Sequence, residues 1–310
     1  MGSVRQLGNG IEGMISHWKW RYLDNLGPSL AYWRGREALG GEAARVLSEL
    51  NRNGVAVTSV QALLGADSCY SELEAAVARL ERDLSEQIAA TREAANRADG
   101  WKTYLLELLG RHPLLDPGSI YARFALQPDI LRIANAYFGM HTRLRLYNVW
   151  RNFVTVTPPR NSQLWHRDPE DRHVLKVYVY LSDVAEGSGP FTYAAGSHPK
   201  VGLLRHPAIT PTKGERAKRS TDAQMAEVVP PERWVHANGP KGTVVFADTR
   251  GYHKGGLARE RERILYMFMF TSKASRSREY FTRPEDLSLP RGLNKKQLFA
   301  LSARKKERRR

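Results

Sequence analysis

The chain has 310 residues, of which 42% are hydrophobic and 26% charged, and a formal net charge of +16. That length buries a core unaided and the balance is ordinary for a globular protein, which excludes a disulfide scaffold, a fibre or a disordered chain. The single cysteine, Cys69, has no partner within the chain, and it is expected to be buried and inert. No apolar run reaches the ~20 residues of a membrane span, so a cytoplasmic protein without a membrane partner is expected.

The positive charge invites a nucleic-acid reading, but residues 295–310 alone carry +7, leaving +9 for the rest. An acidic or phosphorylated small substrate uses such a balance more economically than a nucleic-acid surface does. The composition leaves the oligomeric state open.

Residues 1–40 are aromatic-rich and irregular, with turn residues at "NLGPSL", and read as an N-terminal extension packed on the body. A helix from Glu42 to Asn51, a stop at Gly54 and a strand from Val55 to Val60 follow. Leu73, Val77, Leu80, Leu84 and Ile88 then recur at helical spacing, which predicts a long helix covering a sheet rather than a coiled coil. A further helical pattern is interrupted before Pro128.

From His141 the texture changes to short β-rich runs separated by turns. Strands in that number after a helical first half predict an α+β fold, an antiparallel sandwich or barrel covered by helices on one side. The expected division is a single domain over residues 41–290, with helical cover to 140 and a strand core over 141–275. A basic tail, 291–310, ends in "ARKKERRR", where like charges without an apolar face predict disorder.

The chemistry concentrates in "SQLWHRDPEDRHVLKVYVYLSDV". His166 and Asp168 form a His-x-Asp pair, and in an extended segment residues two apart point to one side. In "GTVVFADTRGYHKGG" His253 follows the end of an apolar strand. Two histidines and a carboxylate make the facial set that holds a non-haem iron with three positions open. Arg263 enters the apolar strand "RILYMFMF", where a buried guanidinium needs an anion such as the far carboxylate of 2-oxoglutarate.

Lys176, Tyr178 and Tyr180 share one strand face as candidate cavity lining, and Asn148 and Gln163 are candidates to hydrogen-bond a cosubstrate or a ligand. Glu170 and Asp171, beside Pro169, read as a solvated turn, with a substrate contact as the alternative, His173 as the alternative ligand and Trp165 as packing rather than a substrate platform.

Five blocks in order carry a family resemblance: "WHRD", "LKVYVYLSDV", "EGSGPFTYAAGSHP", "VVFADTRGYHKGG" and "RERILYMF". Over roughly 144–270 the chain resembles the phytanoyl-CoA dioxygenase family of Fe(II)/2-oxoglutarate oxygenases. The resemblance implies a double-stranded β-helix (jelly roll), Fe(II) on His166, Asp168 and His253, 2-oxoglutarate on Arg263, and O2 as co-reactant. It implies hydroxylation of a small metabolite, acidic, phosphorylated or carrier-bound, with release of succinate and CO2. Asp168 argues against chlorination, since halogenating relatives lack the carboxylate. Desaturation or ring closure, and a non-catalytic or nucleic-acid-binding module on the same barrel, are the alternatives. One departure stands out: many relatives carry Ser or Thr two residues after the distal histidine, where this chain has Gly255.

Overall fold

A computed structural model describes residues 16–66, 69–96, 103–203, 205–209, 218–275, 277 and 279–302; the end of the basic tail, 303–310, lies outside them. A π-helical turn, Trp20–Asp24, leads into helix α1 (Leu26–Arg34). Helix α2 (Gly41–Asn53) buries Ala43, Val46 and Leu50 and stops at Gly54, whose φ of 81° is the left-handed conformation that ends a helix. Strand β1 (Val55–Ser59) and the short helix α3 (Val60–Leu64) follow.

The expected long helix is two, α4 (Tyr70–Asp83) and α5 (Ser85–Ala94), broken at Leu84. Leu73, Val77 and Ile88 still enter one core together with the sheet, so the apolar stripe reports cover rather than continuity. Strand β2 (Leu105–Glu107) precedes helices α6 (Ile120–Ala125) and α7 (Pro128–Phe138). The break between those helices falls at Gln127, because Pro128 lacks the donor needed to continue the first and suits the first turn of the second.

The remaining strands are β3 (Arg143–Asn152), β4 (Leu175–Tyr180), β5 (Thr192–Ala194), β6 (Trp234–His236), β7 (Thr243–Asp248), β8 (His253–Lys254) and β9 (Arg263–Thr271). Helices α8 (Asp222–Ala226) and α9 (Lys295–Leu301) complete the described elements. Six strands form one sheet, β1-β7-β4-β9-β3-β2, and three form another, β6-β5-β8, every ladder being antiparallel.

Alternation along the strands gives the large sheet two apolar faces. Val177, Val179, Phe246, Phe268 and Phe270 pack in one core with the helices. Tyr178, Val245, Leu265, Met267 and Met269 form a second core with Phe191 and Tyr193. The arrangement is the helix-covered jelly-roll layering expected from the strand-rich second half, as two sheets rather than a closed barrel. The functional residues lie on the second face.

Candidate active site

His166 sits outside the named strands, yet it is paired as if in one. Its N–H donates to the His253 carbonyl at 2.9 Å, and the His253 N–H donates back at 3.0 Å. Two residues on, the Asp168 N–H donates to the Thr249 carbonyl at 2.8 Å. This pairing brings the two imidazole centroids to 4.2 Å and sets both rings against Asp168. His166 Nε2 is 3.9 Å from Asp168 Oδ1, and His253 Nε2 is 3.7 Å from Asp168 Oδ2. All three residues are buried, and they form the one group of three such side chains found among the described residues with mutual metal-ligand spacing.

The backbone also selects the tautomer. His166 Nδ1 lies 2.8 Å from the Leu164 carbonyl and His253 Nδ1 lies 3.1 Å from the Gly251 carbonyl. A carbonyl only accepts, so each Nδ1 carries the proton and each Nε2 lone pair faces the cluster. Burial pushes both imidazoles below their ordinary value, and for His166 the neighbouring His253 adds to the effect. The rings are thus neutral donors at neutral pH.

Burial alone would raise the Asp168 carboxyl. The Lys176 ammonium outweighs it and holds the group well below the usual carboxylate range. Lys176 Nζ lies 2.7 Å from Asp168 Oδ2, an ion pair on the same carboxylate oxygen that faces the His253 ring. Two neutral nitrogens and a permanently ionised carboxylate suit a divalent cation.

The triad opens on a cavity of about 210 Å³. Arg263 reaches it from β9 and is 4% exposed; its Nε donates to Asn152 Oδ1 at 3.3 Å, while its Nη1 is buried without a partner. Burial depresses this guanidinium, against the pull of Tyr180, Tyr178 and Tyr104. A buried cation with one nitrogen unpaired is costly until an anion meets it, and a dicarboxylate that also reaches the metal fits that demand.

The sequence profile described as "Phytanoyl-CoA dioxygenase (PhyH)" matches residues 50–259, about two thirds of the chain. The chain belongs to the phytanoyl-CoA dioxygenase family. Membership makes it an oxygenase of the Fe(II)/2-oxoglutarate class, and the His166–Asp168–His253 cluster has the donor set that class requires. The match ends four residues before Arg263, so the case for that arginine rests on its place in the cavity.

No curated protein matches the chain. Among solved structures, the apoform of EctD from S. alaskensis is 18% identical, with 82% of this chain and 86% of that chain covered and a TM-score of 0.50, a likeness of fold. HygX from Streptomyces hygroscopicus, with nickel and 2-oxoglutarate bound, is 17% identical over 76% of this chain and 88% of that chain, with a TM-score of 0.45.

Of the other residues singled out in this phytanoyl-CoA dioxygenase relative, Lys176, Tyr178 and Gln163 line the cavity. The Gln163 side chain also accepts from the Arg160 N–H at 3.1 Å. Asn148 is not brought to the cavity: its amide accepts from Leu109 N–H and donates to the Gly110 carbonyl, tying down the loop after β2. Tyr180 donates to the Ala237 carbonyl. His173 faces away from the cluster, 2.8 Å from Asp248 Oδ2, and Trp165 is fully buried against Trp234.

The solvated-turn reading of Glu170 and Asp171 needs correction. Glu170 lines the cavity with Oε2 buried and unpartnered, and Asp171 accepts from Trp20 Nε1 and the Ser272 N–H. Cys69 is only half-buried, where its sulfur accepts from Gln127 Nε2. Tyr104, Asn152, Ser162 and Tyr280 also line the cavity and carried no sequence signal, because they come from separate segments of the chain that only the fold brings together.

Proposed function

We propose that the protein hydroxylates an unactivated C–H bond of a small molecule, with Fe(II) held by His166, Asp168 and His253 and 2-oxoglutarate held by Arg263. The observation that carries the reading is the unpaired, buried Nη1 of Arg263 in the same cavity as the triad. A non-catalytic scaffold would gain by losing such a charge.

When bound, iron and cosubstrate supply dioxygen activation, with oxidative decarboxylation to succinate and CO2. The chain's own part is positioning. The Nδ1 hydrogen bonds of His166 and His253 orient both donors, and Lys176 steadies Asp168. Asn152 fixes the plane of Arg263. The hydroxyls of Tyr104 and Ser162, 2.8 Å apart on the cavity wall, are the candidates for the contact that Gly255 cannot make.

Order along the strands separates two ends of the cavity. Arg263 pairs with Asn152, whereas Met269, six residues later and roughly 20 Å along the strand, pairs with Lys176. Leu146, Met269, Lys176, Glu170 and Tyr280 thus mark the end remote from the cosubstrate anchor. Lys176 is committed to Asp168 there, and Glu170 has an unsatisfied oxygen, with Tyr280 Oη 3.4 Å from the other. This supports a partly apolar substrate with a hydrogen-bond donor or a cationic group over an acidic or carrier-bound one.

The test is anaerobic addition of Fe(II) and 2-oxoglutarate, reading the visible charge-transfer band, followed by candidate substrates that shift it. A band that persists in His253→Ala would overturn the site. Product analysis then separates the outcomes: one added oxygen atom for hydroxylation, two lost hydrogens for desaturation or ring closure.

A further inference from the structure

The segment before the family match is packed inside out. Apart from Trp20, which is buried against His173, its buried side is small or polar: Asn25 is fully buried, and Pro28 and Ser29 face the body. Asn25 Nδ2 donates to Ser272 Oγ, and Asn25 Oδ1 accepts from the Ala274 N–H. Its other large apolar side chains mostly point outward instead. Trp18, Tyr22, Leu23, Leu26, Leu30 and Trp33 are 44–57% exposed, and they are six of the twelve exposed large hydrophobics among the described residues. Scattered exposed apolar residues are normal, but a contiguous face of them is not.

We propose that this face is the contact between two copies of the chain. Leu26, Leu30 and Trp33, at spacings of four and three, form a ridge along one side of α1. Beside that ridge run Gly27 and Ala31, both exposed, and a Cβ at Gly27 would meet nothing within 4 Å. A ridge next to a shallow groove on one helix is self-complementary: about a two-fold axis, each ridge enters the other copy's groove.

The area is of the right order. At roughly 150–250 Å² for a large side chain, about half uncovered, six residues present on the order of 600 Å². Neighbouring side chains at the rim bring this close to the ~800 Å² that each partner buries in a stable complex. Lys19, Arg34 and Arg36 are exposed around the face, and the Arg36 guanidinium lies 5.1 Å over the Trp33 ring, a charged rim around an apolar centre.

The experiment is sedimentation velocity on the full chain between about 1 and 100 µM, which spans typical dimer affinities. A dimer is expected for the wild type, and Leu26→Glu with Leu30→Glu should weaken it at least thirtyfold. Circular dichroism and Co(II) binding of the variant verify that the fold is intact. In a Cys69→Ser background, Leu30→Cys should cross-link to a covalent dimer on mild oxidation. A wild type that stays monomeric at the highest concentration, or a dimer unaffected by the two glutamates, overturns the proposal. Pelleting of a monomeric wild type with anionic phospholipid vesicles would overturn it in favour of a membrane surface.

Discussion

His166 and His253 exchange both of their backbone hydrogen bonds, at 2.9 and 3.0 Å, although 87 positions separate them in the chain. The metal cluster is therefore built by a fragment of β-ladder, and its geometry is as rigid as the pairing beneath it. Alanine at His166 or His253 should abolish Co(II) and Fe(II) binding measured by titration. His173→Ala should leave it intact, because that ring is engaged with Asp248 on the other side of the sheet.

The histidines also set a pH dependence. Metal needs the neutral imidazole, and burial holds both rings below the ordinary value of 6.5. Protons therefore compete only at lower pH than for a free histidine. Co(II) affinity, followed through its visible absorption, should stay flat from about pH 7.5 through the unperturbed histidine value near 6.5 and fall only below that. A midpoint above the ordinary value would contradict the burial argument.

Three arginines precede or open β9, and only one is enclosed. Arg259 and Arg261 are exposed, and Arg259 donates to the Thr155 carbonyl, while Arg263 is buried in the cavity. Arg263→Ala should weaken 2-oxoglutarate binding on the order of a hundredfold, read by calorimetry on the Co(II) protein. Arg259→Ala and Arg261→Ala should change it only a few-fold.

Adjacent glycines should respond in opposite ways. A Cβ at Gly256 would lie 2.2 Å from the Gly189 carbonyl carbon and 2.3 Å from the Pro190 oxygen, both backbone atoms that cannot swing aside. Gly256→Ala should cost about 3 kcal/mol or more in denaturant unfolding. At Gly255 the nearest atoms are 3.5 and 3.8 Å away, the latter Arg263 Nη2, so Gly255→Ala should be close to neutral. Gly255→Ser should tighten 2-oxoglutarate binding by placing a hydroxyl beside the guanidinium.

Asp248 gives a stability signature of its own. It is fully buried, and although burial alone would raise its carboxyl, His173 and Tyr137 pull it below the ordinary 3.8. A depressed carboxyl stabilises the fold above its unfolded value and loses that contribution as pH falls towards the folded one. Asp248→Asn should cost on the order of 2–3 kcal/mol at pH 7. The difference from wild type should shrink below pH ~4.

The sequence by itself determined the elements whose cause is local. Gly54 stops α2, Pro128 opens α7, and the blocks around His166, Asp168 and His253 mark the family, with Arg263 just beyond the matched residues. The long helix over residues 73–88 was legible only as an apolar stripe, since a break at Leu84 leaves the stripe unchanged. Tertiary structure alone decided the rest. Asn148 and Asn152 are both buried asparagines on β3, yet one is spent on the loop after β2 and the other meets Arg263, according to which neighbour each finds. Glu170 is a solvated turn residue in the sequence and a half-buried wall residue in space because Tyr280, from beyond β9, closes over it. Pairings between distant segments leave no trace in local pattern, because neither partner's propensity depends on the other until the sheets assemble.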